Sequence, residues 1–204
     1  MSRRGGVWIG ADPGGKGHFG IAILYPDGHS QTWRVNCAEE AVGKIETQLR
    51  LTPKGAGVDA PLWWSSGPSG DRKVDDWLRT TFGLSGGRVQ AVNSLRGAVL
   101  IQGVLFAKLL RKKYPKIGVT ETHPKALLKA LRLGKVSFAE NFGVTFDGKS
   151  QHERDAVVSA VAAREGFLRY WKRDLAKKRG KSERRLNDGY LKRIHYFWPE
   201  QPRQ

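Results

Sequence analysis

The sequence has little of what stabilises small secreted proteins or anchors membrane proteins. Its 204 residues include a single cysteine, Cys37, which excludes an internal disulfide and favours a reducing compartment. No apolar run approaches the length that crosses a bilayer, and no apolar signal-peptide core follows the arginines near the start. We therefore expect a soluble, cytoplasmic protein that does not associate with membranes.

Acidic residues are also scarce. The chain has 19 Asp and Glu against 36 Lys and Arg, a formal net charge of +17. Such an excess favours a polyanionic partner, because neutralising phosphates releases counterions from a nucleic acid. We expect DNA or RNA as the partner; the alternative is a basic surface that only keeps the protein in solution.

Apolar periodicity predicts five strands and several helices in an alternating order. The strands are predicted at 6–12, 18–25, 29–35, 55–60 and 117–121; the helices are predicted at 38–50, 72–82, 94–113, 124–132 and 151–163. Residues 133–151 are predicted as a loop. The right-handed crossover rule makes strands one, four and five parallel neighbours. The expected fold is a mixed five-stranded α/β sheet, in the order 3-2-1-4-5, with helices on both faces.

We predict one main domain at 1–168, with an irregular insertion at about 61–93, and a basic C-terminal extension at 169–204. The extension holds ten cations that are candidate phosphate contacts: Lys172, Arg173, Lys177, Lys178, Arg179, Lys181, Arg184, Arg185, Lys192 and Arg193. Their alternative role is a solvated tail. The aromatic run Tyr196-Phe197-Trp198 after them predicts that the chain end packs back onto the body.

Carboxylates follow three of the predicted strands and begin a helix. Asp12, Asp59 and Glu121 each end a strand of the parallel set, and Asp155 lies in the first turn of the Ala-rich helix. Each alone has an ordinary explanation, as a turn former, a helix cap or a charge favoured by the helix dipole. Together they indicate a site for hard divalent cations, Mg²⁺ or Mn²⁺. Two such ions about 4 Å apart would activate water and stabilise the leaving oxygen of a phosphodiester.

Four further residues are candidates for nucleic-acid contacts. Lys16 lies in the glycine turn after Asp12, and Arg96 lies on the long helix. Trp63 and Trp64 lie in a Gly/Ser/Pro-rich loop, where exposed rings would stack on bases. The alternatives are a solvated lysine and a tryptophan pair packed onto the body.

Two segments resemble the RuvC-type Holliday junction resolvases of the RNase H-like (retroviral-integrase-like) superfamily. Gly10-Ala11-Asp12-Pro13-Gly14 is similar to their Gly-x-Asp-Pro-Gly opening, and His152-Glu153-Arg154-Asp155-Ala156 is similar to the His-x-x-Asp-Ala of their final helix. Gly57-Val58-Asp59-Ala60-Pro61 and Glu121-Thr122-His123-Pro124 are closer to an uncharacterised family of predicted nucleases with the same fold. The resemblance covers about 5–166.

The resemblance implies an RNase H-like metal-dependent endonuclease that uses Mg²⁺ or Mn²⁺, two ions being expected, and it is compatible with a homodimer. It makes Asp12, Asp59 and Asp155 the metal ligands, with Glu121 as a fourth or supporting group. The chain departs from the resolvases at Asp59, where they carry Glu. It departs also at His152, where they carry an acidic residue; His152 would ligate a metal or orient water.

Two other functions remain open on the sequence. One is a non-catalytic nucleic-acid-binding module that keeps the fold. The other is a phosphotransferase of the actin-like fold, which shares a strand-one Asp-Gly turn. The actin-like fold needs a duplicated domain with a second glycine-rich phosphate loop, and the sequence contains no such repeat.

Overall fold

The structure is a computed structural model that describes residues 5–68, 70–180, 183, 191 and 193–200. Four of the predicted phosphate contacts, Lys181, Arg184, Arg185 and Lys192, lie outside the described residues. None of the described helices has the length and apolar character needed to cross a bilayer.

Eight strands are formed by the described residues. They are β1 (Trp8–Asp12), β2 (Phe19–Leu24), β3 (Ser30–Val35), β4 (Gly55–Val58), β5 (Gly118–Glu121), β6 (Arg173–Asp174), β7 (Ile194–His195) and β8 (Phe197–Trp198). The main sheet has the order β3-β2-β1-β4-β5-β7, and β6 pairs with β8 in a separate ribbon.

The predicted strand order is confirmed, with one strand more than expected. Strands β1, β2 and β3 are antiparallel neighbours, whereas β1, β4 and β5 are parallel. This order and these strand directions are those that the resemblance to the RNase H-like superfamily implies. The sixth strand, β7, pairs with β5 in parallel over two residues, which is too short for a periodicity to reveal.

Six α-helices formed by the described residues surround the sheet. They are α1 (Ala38–Gln48), α2 (Lys73–Phe82), α3 (Gly97–Lys113), α4 (Pro124–Leu131), α5 (Lys135–Phe142) and α6 (Gln151–Phe167). On one face, Phe106 of α3 packs against Phe19 of β2 with ring centroids 5.7 Å apart. Helix α6 lies on the other face, and its first turn is closed by a capping box between Ser150 and Glu153. The prediction of helices on both faces is therefore confirmed.

Helix α6 lies very close to the sheet because three strands present glycines to it. A Cβ atom at Gly10 would overlap the carbonyl of Ala156, and one at Gly57 would overlap the carbonyl of Ser159. A Cβ atom at Gly20 of β2 would likewise overlap the carbonyl of His152. Any side chain at these positions would push α6 outward, so the glycines set the distance between the helix and the strands.

The prediction of a loop over 133–151 is wrong, because α5 lies within it. Phe138 and Phe142 are one helical turn apart and are both buried. Gly143 ends α5 in the left-handed conformation, with φ of 58°. The helix is eight residues long and flanked by glycines, a pattern that is also typical of a loop.

The chain end packs back onto the body, as its aromatic run predicts. Tyr196 and Trp198 are each 1% exposed. The Tyr196 ring meets Trp63 edge-on at 6.2 Å between centroids. The described C-terminal residues thus contribute to the same core as the sheet.

Candidate metal centre

Three carboxylates meet at the carboxyl ends of the parallel strands. Asp12 is the last residue of β1, and Asp59 directly follows β4, where its N–H donates to the Ala11 carbonyl at 2.8 Å. Side chains alternate along a strand, so Asp12 shares the α6 face with Gly10, and Asp59 shares it with Gly57. Helix α6 brings Asp155 to the same point, and one ligand atom from each carboxylate lies within 4.8 Å of the others.

The crowding changes the acidity of the cluster. Burial raises the pKa of Asp59 well above its ordinary value, and the charges of Asp12 and Asp155 raise it further. Burial also raises the pKa of Asp12, although a hydrogen bond from His152 opposes this shift. Ionised carboxylates at this spacing repel one another unless a cation lies between them.

Asp155 carries the observation that best matches a metal site. Its Oδ1 atom is buried and has no hydrogen-bond partner among the described residues, although Lys135 Nζ lies 3.5 Å from it. Its Oδ2 accepts a hydrogen bond from Gln151 Nε2 at 3.2 Å. Three carboxylates with an unsatisfied oxygen form the hard oxygen donor set that Mg²⁺ and Mn²⁺ prefer, so these residues fit a divalent cation.

His152 is placed to support Asp12. Its Nδ1 lies 2.7 Å from Asp12 Oδ2, and this hydrogen bond raises the pKa of His152. The His18 ring meets the His152 ring edge-on, 5.4 Å away. His152 therefore orients a carboxylate of the cluster in this structure.

Glu121, predicted as a fourth metal ligand, lies outside the cluster. Both its oxygens accept hydrogen bonds from Arg72, at 2.7 and 2.9 Å, and Oε2 also accepts from the Leu62 N–H at 2.9 Å. The Arg72 guanidinium is 2% exposed and donates on its other side to Asp75, at 2.7 Å. Glu121 thus binds a buried guanidinium and lies outside the three-carboxylate cluster, where its contacts in this structure are structural.

The prediction for Trp63 is corrected. Its ring is 1% exposed and lies under the Arg72 guanidinium, 4.5 Å from it, so no base can stack on it. Trp64 differs, because 39% of it is exposed, beside Ile101 of α3. Of the predicted pair, only Trp64 is available to a ligand.

A cleft of about 470 Å³ opens over the cluster. It is bounded by Asp12, Asp59 and His152 on one side and by the cations Arg88, Arg96 and Lys125 on others. Arg96, a predicted phosphate contact, directly precedes α3 at this cleft. Arg88 and Lys125 were missed by the sequence reasoning. Lys125 follows Pro124 in the first turn of α4, which begins at the same sheet edge, and that position was the available signal.

The remaining cation candidates lie elsewhere on the surface. Lys16 is exposed in the turn after β1, and Lys172 and Lys177 are exposed in the C-terminal segment. Three other cations of that segment cover aromatic rings: Arg173 and Lys178 lie over Trp77, and Arg179 lies over Trp63. These three side chains contribute to packing, which the charge pattern alone did not indicate.

The sequence matches no protein-family model, and no curated protein is detectably similar to it. Among solved structures, the chain is similar to T. thermophilus RuvC in complex with Holliday junction substrate. The two share 18% identity over 80% of this chain and 95% of that chain, with a TM-score of 0.40. The function proposed below rests instead on the site's own geometry.

Proposed function

We propose that the protein is a Mg²⁺- or Mn²⁺-dependent nuclease that hydrolyses phosphodiester bonds in nucleic acid. The observation that carries the proposal is the convergence of Asp12, Asp59 and Asp155, with ligand atoms within 4.8 Å of one another. This acidic cluster belongs to a chain with a net charge of +17. A polyanion is attracted by the whole molecule, and the cluster offers ligands for cations where a phosphate would be cut.

The residues of the cleft have separable roles in this proposal. Asp12, Asp59 and Asp155 would hold the cation, which when bound supplies charge stabilisation and a more acidic attacking water. His152 keeps Asp12 in place through the 2.7 Å hydrogen bond. Arg96 and Lys125 line the cleft and supply positive charge to a phosphate that enters it.

The competing function is a nucleic-acid-binding module without catalysis. It is favoured by the contacts that partly neutralise the cluster from within, namely His152 on Asp12 and Lys135 on Asp155. Both functions predict binding of nucleic acid, and they differ in whether a divalent cation is bound and used.

The test is incubation with labelled duplex, single strand, four-way junction and RNA–DNA hybrid, in Mg²⁺, in Mn²⁺ and in EDTA. We expect cleavage of at least one substrate with a divalent ion and none in EDTA. Cleavage that persists in EDTA, or its complete absence with both metals, contradicts the proposal.

Binding of Mn²⁺ is measured separately by calorimetry, so that metal binding does not depend on finding the right substrate. Asp59→Asn should abolish both Mn²⁺ binding and cleavage. Asp76→Asn is the matched control, because its side chain is 73% exposed and lies outside the cleft. Wild-type behaviour in that variant and loss in Asp59→Asn support the metal site.

A further inference from the structure

A second charged region lies at the opposite end of β5 from the acidic cleft. It is a groove of about 660 Å³ between α3, the turn before β5 and the C-terminal segment. Its cationic and titratable side chains are Lys108, Arg111, Lys112, Lys116, Arg193 and His195. None of the described residues that line this basic groove is a carboxylate.

Two carboxylates of neighbouring elements are held in ion pairs. Glu46 of α1 pairs with Lys113, which does not line the basic groove, and Asp174 pairs with the Nδ1 atom of the groove residue His195 at 2.8 Å. Arg111, Lys112 and Lys116 lie within a span of six residues, and like charges this close repel one another. An anion bound in the groove would relieve that repulsion.

Arg111 shows the need for an acceptor most directly. Its Nη2 donates to the Arg193 carbonyl at 2.9 Å, whereas its Nη1 is shielded from solvent and has no partner among the described residues. Burial lowers the pKa of Arg111. A phosphate presents oxygens in the geometry that the planar guanidinium matches.

The distance between the basic groove and the acidic cleft is set by α3. Arg96 lies at the cleft just before the helix, and Lys112 lies at the groove in its last turn. A rise of about 1.5 Å per residue places these two residues about 24 Å apart along the helix axis. Successive phosphates of one duplex strand are about 3.4 Å apart along the helix, so about seven base pairs bridge this distance.

We propose that the basic groove binds the phosphate backbone of a nucleic acid whose other part, about seven base pairs away, enters the acidic cleft. The position of the second contact rests on the proposed function of the cleft. Backbone binding in the groove itself does not, because it needs no cleavage.

The first test measures binding of a fluorescently labelled duplex by anisotropy, in EDTA and across a series of salt concentrations. The variant Arg111→Gln/Lys112→Gln/Lys116→Gln should lose about tenfold or more in affinity, and its salt-dependence slope should fall by about two to three. The control Lys44→Gln/Lys129→Gln/Lys149→Gln removes the same charge outside the groove and should leave the slope unchanged. Equal losses in both variants would show a general charge effect and overturn the proposal.

Thermal melting checks that each variant folds. If the triple variant does not fold, Lys112→Gln/Lys116→Gln changes only exposed side chains and should still reduce the slope by up to about two. An unchanged slope in this double variant contradicts the proposal.

The second test varies duplex length. Wild-type affinity should rise steeply once the duplex exceeds about seven base pairs, whereas the groove variant should show only a gradual rise. A gradual rise of wild-type affinity with duplex length would exclude simultaneous contacts of one duplex with the groove and the cleft. Displacement of the duplex by an equal concentration of inorganic pyrophosphate would indicate a small-anion site and overturn backbone binding.

Cleavage with Mn²⁺ is measured in parallel. Groove-dependent binding without cleavage would refute the proposed nuclease and leave the groove assignment standing. If a groove variant binds the duplex like wild type and still cleaves it, the groove assignment is refuted and the proposed nuclease stands.

Discussion

Two groups of carboxylates lie at the same edge of the sheet, and they differ in the cations that contact them. Glu121 and Asp75 surround one buried guanidinium, that of Arg72, with contacts of 2.7 to 2.9 Å. The acidic cluster of Asp12, Asp59 and Asp155 has no buried cation of this kind among the described residues. Among the described residues it is approached by His152, by Lys135 at 3.5 Å and by the charge of Lys125, which lines the cleft.

The difference separates a structural device from a ligand site. In the Arg72 network one guanidinium lies between two carboxylates and donates hydrogen bonds to both, and the network joins α2, β5 and the loop after Asp59. In the acidic cluster, burial and mutual repulsion raise the pKa values of Asp12 and Asp59, which costs stability at neutral pH. Polar groups that are kept together at such a cost are typical of functional sites.

The largest expected effect distinguishes Asp155 from Glu121. Asp155→Asn should lower metal-dependent cleavage by about 10³-fold or more, since several kcal/mol of charge stabilisation depends on the bound ion. Glu121→Gln should keep cleavage within about tenfold of wild type while lowering thermal stability. The measurement is kcat with saturating Mn²⁺ on the best substrate of the panel. Similar losses in both variants would place Glu121 back among the ligands.

The next effect is on folding. Arg72→Leu leaves Glu121 and Asp75 buried without a cation, and it should lower the free energy of unfolding by about 3–5 kcal/mol, measured in urea. Replacing all three residues by apolar ones of similar size should recover most of that loss. Lys113→Gln, which breaks the exposed pair with Glu46, is the control and should change stability little. A small change in the free energy of unfolding in Arg72→Leu would mean that the network does not stabilise the loop after Asp59.

His152 tests whether support of Asp12 matters to the cluster. His152→Ala removes the 2.7 Å hydrogen bond and should weaken Mn²⁺ binding by about 10- to 100-fold, as for other partners of metal ligands. His152→Gln retains a hydrogen-bond donor and should recover part of the affinity. Calorimetric titration with Mn²⁺ measures both, and equal affinity of all three proteins would exclude the supporting role.

The smallest effect concerns the metal-free protein. Because the pKa of Asp59 is raised on folding, the folded state binds protons more tightly than the unfolded state. The associated stability is present below the ordinary pKa of about 3.8 and is lost as pH rises through the folded pKa.

Asp59→Asn should therefore melt a few degrees higher than wild type at pH 7 in EDTA, with the difference shrinking toward pH 4. Added Mn²⁺ should raise the melting temperature of wild type only. A lower melting temperature of Asp59→Asn in EDTA at pH 7 would contradict the repulsion in the acidic cluster.

Much of this site could be predicted because strand ends and helix starts are visible in sequence. Asp12 and Asp59 follow short apolar runs, and Asp155 begins an Ala-rich helix, so topology alone brings them to one edge. Glu121 also ends a short apolar strand, so the same argument predicted it as a member of the site. Its neutralising partner, Arg72, lies in the irregular region before α2, where no periodicity indicates which side chains turn inward.

The unpredicted parts of the fold share a related cause. Strand β7 and helix α5 are short, and their positions depend on tertiary contacts such as the packing of Phe142 on Trp171. The Trp63 ring is covered by Tyr196 and Arg179, which lie far from it in sequence. The local sequence pattern does not indicate such distant partners.

The pairing of β5 with β7 has a consequence for biosynthesis. About 70 residues separate the two strands, so at roughly 5–20 residues per second the ribosome needs about 4–14 s to make the partner of β5. During that interval β5 is an open edge, with unpaired backbone groups beside Glu121. The nascent chain therefore exposes this strand edge next to the future cleft, and chaperone contact during translation would be favoured there.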